Sequence, residues 1–140
     1  MRYMGLDVGE KTIGVAVSDG LGLTAQGLDT IRRASFAKDF AALAAYIAEY
    51  EVGTIVVGLP KSMDGSIGTQ AEKVLAFVEK MKSVIDLPVV MWDERLTTAM
   101  AQRALIEGDV SRKDRRKVID RLAAQLILQG YMDRVRGGGA

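Results

Sequence analysis

The sequence predicts an α/β domain: a mixed sheet flanked by helices. Three observations predict it. Two short apolar runs near the N-terminus, YMGLDVG and TIGVAVSD, are joined by a Gly9-Glu10-Lys11 turn; two later runs, TIVVGLP and LPVVMW, are continuously apolar and β-branched; and segments of helical period alternate with the later runs. A hairpin followed by βαβ units leads to a sheet of mixed direction with helices packed on it. The 140 residues suit a single domain, expected over residues 1–136, with the Gly-Gly-Gly-Ala terminus as a disordered tail.

YMGLDVG reads as a first strand and TIGVAVSD as a second, antiparallel to it. A looser third strand is expected from Gly27 to Arg32. Between Ser35 and Tyr50 the period becomes helical, with Phe36, Phe40, Leu43, Ala44 and Ile47 on one face and Ser35 as the N-cap. TIVVGLP is a buried strand, because it does not alternate. Gln70 to Ile85 forms a second helix, and Leu87 to Trp92 a short buried strand ended by Asp93 and Glu94. Thr97 or Thr98 would cap a third helix running to about Glu107. The last helix is expected to start between Lys113 and Val118 and to turn Ile119, Leu122, Ala123, Leu126 and Ile127 toward the core.

Composition excludes several chemistries. The chain has no His and no Cys, so it has no imidazole base, no thiolate nucleophile, no Cys/His zinc site and no disulfide. Catalysis, if present, must run on carboxylates, Lys, Arg, hydroxyls or a hard metal ion held by oxygen. The absence of Cys is compatible with a cytoplasmic location. An acid at position 7 comes before any apolar h-region, and the longest apolar run, Phe40 to Ala48, is nine residues long, so neither a signal peptide nor a membrane span is expected. The formal net charge is +1, yet the basic residues cluster between Arg112 and Arg121. Such a patch either meets phosphate or forms a solvated face before a helix.

Three acids stand out. Asp7 lies inside an apolar strand, where a charge costs several kcal/mol unless it is paired or bound to a cation. Glu94 follows the buried PVVMW run, at the carboxyl end where open α/β sheets build their sites. Asp120 lies beside the apolar face of the last helix. Each alone has an ordinary reading, as a turn acceptor, an exposed strand end or a helix-dipole acid. If they converge, a divalent cation such as Mg²⁺ or Mn²⁺ would relieve their repulsion, and carboxylate-held ions suit attack of water on a phosphodiester.

GLDVGEKTIGVAVSD (5–19), VVGLPKSMDGSIGTQ (56–70), DERLTT (93–98) and VIDRLAAQLILQGYMD (118–133) resemble, in that order, the YqgF family of pre-16S rRNA nucleases and Holliday-junction-resolvase-like proteins. The resemblance covers nearly the whole chain. It implies a ribonuclease H-like fold with a five-stranded sheet of order 3-2-1-4-5, strand 2 antiparallel, and a catalytic metal site of Asp7, Glu94 and Asp120. The chain departs from the family pattern at Thr12, where many members carry Arg or Ser.

Nucleic-acid contacts are sought around this site. Lys11 follows Gly9 in a tight turn next to Asp7, either reaching a phosphate or serving as an ordinary hairpin lysine. Arg95 either holds a phosphate or pairs with Asp93. Lys61 and Ser62 lie in the GLPKSMDG loop, with Gly58, Pro60 and Gly65 making the turn, on the same edge as the acids. Arg112, Lys113, Arg115, Arg116 and Lys117 precede Asp120, so phosphate binding there would adjoin the acids. Trp92, ending a buried strand, reads as core rather than as a base-stacking platform.

The resulting expectation is a Mg²⁺- or Mn²⁺-dependent nuclease of structured RNA, acting in 5′-end processing of pre-16S rRNA, as a monomer or homodimer without membrane contact. Alternatives are a dimeric resolvase of branched DNA and a noncatalytic RNA-binding factor acting on ribosome precursors. The DVGEKTIGVAV hairpin also resembles the phosphate-binding opening of actin-like ATPases and sugar kinases, but those need two such domains and this chain supplies one.

Overall fold

The computed structural model describes residues 1–96 and 115–137. The expected helix between Thr97 and Glu107 lies outside the described residues, as do residues 138–140 of the tail.

The strands are β1 (Arg2–Val8), β2 (Thr12–Ser18), β3 (Ala25–Arg32), β4 (Val52–Leu59) and β5 (Val89–Asp93). The helices are α1 (Phe36–Tyr50), α2 (Thr69–Lys82) and α3 (Arg115–Arg136). A single 3₁₀ turn, Glu94–Leu96, follows β5. The sheet runs β3-β2-β1-β4-β5; β1, β2 and β3 are antiparallel neighbours, and β4 lies parallel to both β1 and β5. This is the ribonuclease H-like order that the resemblance implies.

Local chemistry explains the boundaries. Gly9 N–H donates to the Thr12 carbonyl at 2.9 Å, closing the β1–β2 turn. Ser35 caps α1, its hydroxyl accepting from Lys38 N–H at 3.2 Å. Glu51 ends α1 in the left-handed region at φ 53, its N–H returning to the Ile47 carbonyl. The chain therefore enters β4 at Val52, two residues before the expected Thr54. Strand β3 begins two residues before the expected Gly27, because Ala25 N–H is held by Gln129 Oε1 of α3 at 2.8 Å.

Side-chain alternation divides the core in two. Met4, Leu6, Val8, Ile13, Val15, Ile55 and Val57 pack with Phe40 and Leu43 of α1 and Val74, Phe77 and Met81 of α2. On the other face Ala16, Val56 and Trp92 pack with Ala124, Ile127, Leu128 and Met132 of α3. Trp92 is therefore core, set edge-on to Tyr131 with ring centroids 6.2 Å apart.

The buried stripe of α3 differs from the expected one. Ala123, Ala124, Ile127, Leu128 and Met132 are buried, whereas Leu122 and Leu126 are only half-buried. The side chain of Ile119 is outside the described set. Rotation of the helix is set by the sheet beneath it: a Cβ at Gly5 would stand 2.7 Å from Leu128 Cβ and 3.0 Å from the Ala124 carbonyl oxygen. Glycine on β1 thus lets Ala124 and Leu128 approach the sheet.

Candidate active site

Asp7 faces α3, because Leu6 and Val8 on either side of it point into the opposite core. Its cross-strand neighbour on β2 is Gly14. A Cβ at Gly14 would fall 2.0 Å from the carbonyl oxygen of Asp120, so the turn of α3 that carries Asp120 rests directly on this glycine. The carboxylate of Asp120 accepts a hydrogen bond from the Thr12 hydroxyl at the head of β2. Strand, turn and helix therefore place Asp7, Thr12 and Asp120 together.

Glu94 arrives from the other side of the sheet centre. It is buried, with 2% of its surface exposed, in the 3₁₀ turn after β5. Its carboxyl carbon lies 3.3 Å from where a Cβ at Gly58 would stand, and the same Cβ would meet Ile127 Cδ1 of α3 at 2.4 Å. Gly58 is thus a strand residue of β4, paired with Trp92, as its place in the TIVVGLP run implies, and of the three residues expected to make the turn only Pro60 and Gly65 lie in the loop. The missing side chain of Gly58 leaves room for the end of Ile127, with the Glu94 carboxyl alongside.

Asp7 lies near the carboxyl end of β1, Glu94 follows the carboxyl end of β5, and Asp120 sits on α3, which rests on Gly14 opposite Asp7. Their donors are carboxylate oxygens, the chemistry that hard divalent cations take. Among the described residues, no three or more His, Cys, Asp or Glu side chains are grouped so as to hold an ion together.

The basic residues divide. Lys11 is exposed in the turn beside Asp7, and its carbonyl is fixed by Arg33 N–H at 2.9 Å. Lys61, half-buried, follows β4, and Ser62 is exposed beside it. Arg95 is committed to Asp93: Nε stands 3.1 Å from each carboxylate oxygen and Nη2 2.7 Å from Oδ2. These bonds hold the Asp93 carboxyl below the usual carboxylate range, with the Lys61 charge adding to the effect, and raise the Arg95 guanidinium. Arg112 and Lys113 lie outside the described residues; Arg115, Arg116 and Lys117 head α3, and their side chains also fall outside the description.

Thr12, Gly14 and Gly58 were not among the expected site residues. The signal for the two glycines was their position inside otherwise β-branched runs, where glycine marks close approach of another group.

A mixed sheet of this order, with helices packed on both faces, is a ribonuclease H-like fold. The solved RuvC of Thermus thermophilus, in complex with a Holliday junction substrate, superposes with a TM-score of 0.62 at 14% identity, covering 99% of this chain and 97% of that one. The fowlpox virus Holliday junction resolvase matches at a TM-score of 0.53 and 15% identity, over 96% and 99% of the two chains. A model of the RuvX family, Holliday junction resolvase, matches residues 1–134, and the chain belongs to that family. A relative from Desulforamulus reducens is 62% identical over 133 residues, 95% of this chain and 97% of its own length. One from Moorella thermoacetica is 58% identical over 139 residues, 99% of each. Both bear the name "Putative pre-16S rRNA nuclease". The chain is thus a member of a nuclease family.

Proposed function

We propose that this protein hydrolyses phosphodiester bonds of structured RNA in 5′-end maturation of pre-16S rRNA, in the cytoplasm, with Mg²⁺ or Mn²⁺ held by Asp7, Glu94 and Asp120. The observation that carries the reading is the placement of these acids, from β1, the turn after β5 and α3, on one face at one edge of the sheet. The all-oxygen donor set is of the kind that hard cations take, and binding would draw the three carboxylates, which are not grouped around one point in this structure, onto the ion. Bound there, such a cation supplies activation of water and neutralisation of charge at the leaving oxygen.

The chain's own residues do the rest. Thr12 orients the Asp120 carboxylate through its hydroxyl. Burial of Glu94 excludes bulk water from one side of the centre. Lys11, Lys61 and Ser62 hold the phosphate backbone on the flanks of the acids, and the cationic run at Arg112, Lys113, Arg115, Arg116 and Lys117 extends this hold along the substrate. With no histidine in the chain, no imidazole competes for the role of base.

A second reading, cleavage of four-way DNA junctions by a dimer, is favoured by the family's description and by the RuvC neighbour solved with such a substrate. Purified protein incubated with a 5′-extended 16S rRNA fragment, and in parallel with a four-way DNA junction, decides between them. RNA should be cut in Mg²⁺ or Mn²⁺, not after chelation, and Asp7→Asn should slow cleavage about 1,000-fold, or about 4 kcal/mol of barrier. Cutting of the junction alone supports the second reading. Cleavage of RNA that survives either the chelator or Asp7→Asn contradicts the first, as does tight RNA binding with no cleavage in either metal.

A further inference from the structure

The loop after β4 is a prefolded turn. Ser62 N–H donates to the Ser66 carbonyl at 3.0 Å, Gly65 N–H to the Ser62 carbonyl at 2.8 Å, and Asp64 Oδ1 accepts from the Ser66 N–H at 2.9 Å and the Ser66 hydroxyl at 2.7 Å. Gly65 sits at φ +88, a conformation open to glycine. The apolar side chain at the tip, Met63, is 86% exposed, so burial there does not fix the turn to the body of the protein.

Arg95 supplies a fixing contact. Its Nη1 reaches the Met63 carbonyl at 3.4 Å, and a Cβ at Gly65 would stand 3.2 Å from the same nitrogen. The other nitrogens are held by Asp93, Nε by both carboxylate oxygens and Nη2 by Oδ2, and the Arg95 backbone N–H adds a 3.0 Å bond to Oδ1. A planar fork locked in this way has one free edge, and the loop sits on it. The Asp93 carboxylate also offsets the guanidinium charge, which suits Arg95 poorly to being a direct phosphate ligand.

We propose that Arg95 is a positioning residue: it latches the 61–66 loop to the turn carrying Glu94, and so fixes where Lys61 meets a backbone phosphate of the nucleic acid. The inference rests on the nuclease reading above. It separates charge from position, because Gly65→Ala and Arg95→Lys keep every cation in place while disturbing the latch. Gly65→Ala strains a left-handed turn and presses on the guanidinium; Arg95→Lys keeps the charge but loses the fork.

The test is the salt dependence of RNA binding in chelator, where each lost phosphate contact lowers the slope of log K against log salt by about one. Lys61→Ala should lower it by about one. Gly65→Ala and Arg95→Lys should each reproduce that loss, and Lys61→Ala combined with Gly65→Ala should lose no more than either alone. Backbone ¹⁵N relaxation should show the Gly65 and Ser66 amides mobile in Arg95→Lys and rigid in the wild type. A wild-type slope in both charge-keeping variants, or rigid amides in Arg95→Lys, overturns the latch. So does a pattern in which Arg95→Ala loses a contact and Arg95→Lys restores it, since that marks direct phosphate binding. Wild-type protein that does not bind RNA removes the nuclease reading and the latch together, whereas binding with unchanged variant slopes removes the latch alone.

Discussion

Asp120 reaches the candidate site through its hydrogen bond from Thr12, a residue 108 positions away in sequence. A hydroxyl donating to a carboxylate orients it and lowers the cost of holding it among other acids. Partners that orient a metal-holding group typically contribute 10- to 100-fold in affinity or activity. Thr12→Val, which keeps the shape and removes the donor, should therefore weaken Mn²⁺ binding about 10- to 100-fold in a calorimetric titration, while Thr12→Ser stays close to wild type. Equal affinity in Val and Ser variants would mean that the hydroxyl does not orient Asp120 for the ion. The sequence marked Thr12 only as a departure from a family pattern. Its role depends on a contact between β2 and α3 that no local pattern records.

At the scale of elements, glycines on the sheet decide how α3 sits and what it carries. A methyl at Gly14 would collide with backbone, 2.0 Å from the Asp120 carbonyl oxygen, and backbone cannot swing aside. A methyl at Gly58 would meet chiefly the flexible end of Ile127, with the Glu94 carboxyl 3.3 Å away. Gly14→Ala should thus cost about 1–3 kcal/mol of stability, as overpacked cores do, and lower the melting temperature by several degrees. Gly58→Ala should melt closer to wild type yet lose more activity than stability, through Glu94. Thermal denaturation beside a cleavage assay separates the two, and the reverse order of melting temperatures would contradict this account of α3. The same glycines explain which elements were legible. Strands and the N-cap of α1 follow from local signals: the apolar runs, the Gly9 turn and Ser35. The buried stripe of α3 does not, because Gly5 and Gly14, more than 100 residues earlier, set its rotation. Arg95 was ambiguous for a related reason: its neighbour Asp93 and the distant Met63 carbonyl compete with any phosphate for the same fork.

The whole molecule uses the two faces of its sheet differently. The α1/α2 face is continuous hydrocarbon from strands and helices, while the α3 face gives up side chains at Gly5, Gly14 and Gly58 and carries the acids at its edge. A mixed sheet was legible in the run of apolar segments, whereas its strand order was legible only through the family resemblance carried by four sequence blocks that span the chain. The approach of the elements that carry Asp7, Glu94 and Asp120 was legible only as a possibility of the fold, since 87 and 26 residues separate these acids and only the sheet register brings the elements to one edge. A near-neutral net charge of +1 leaves affinity for nucleic acid to local clusters of Lys and Arg rather than to a field over the whole surface. The central claim is that the acids form a divalent-metal centre. Its most direct measurement is anomalous diffraction from crystals of the protein soaked in Mn²⁺. The account predicts a peak at the β1–β5 edge with oxygens of Asp7, Glu94 and Asp120 within about 2–2.5 Å; Mn²⁺ bound elsewhere, or a well-ordered edge whose three carboxylates touch no ion, would contradict it.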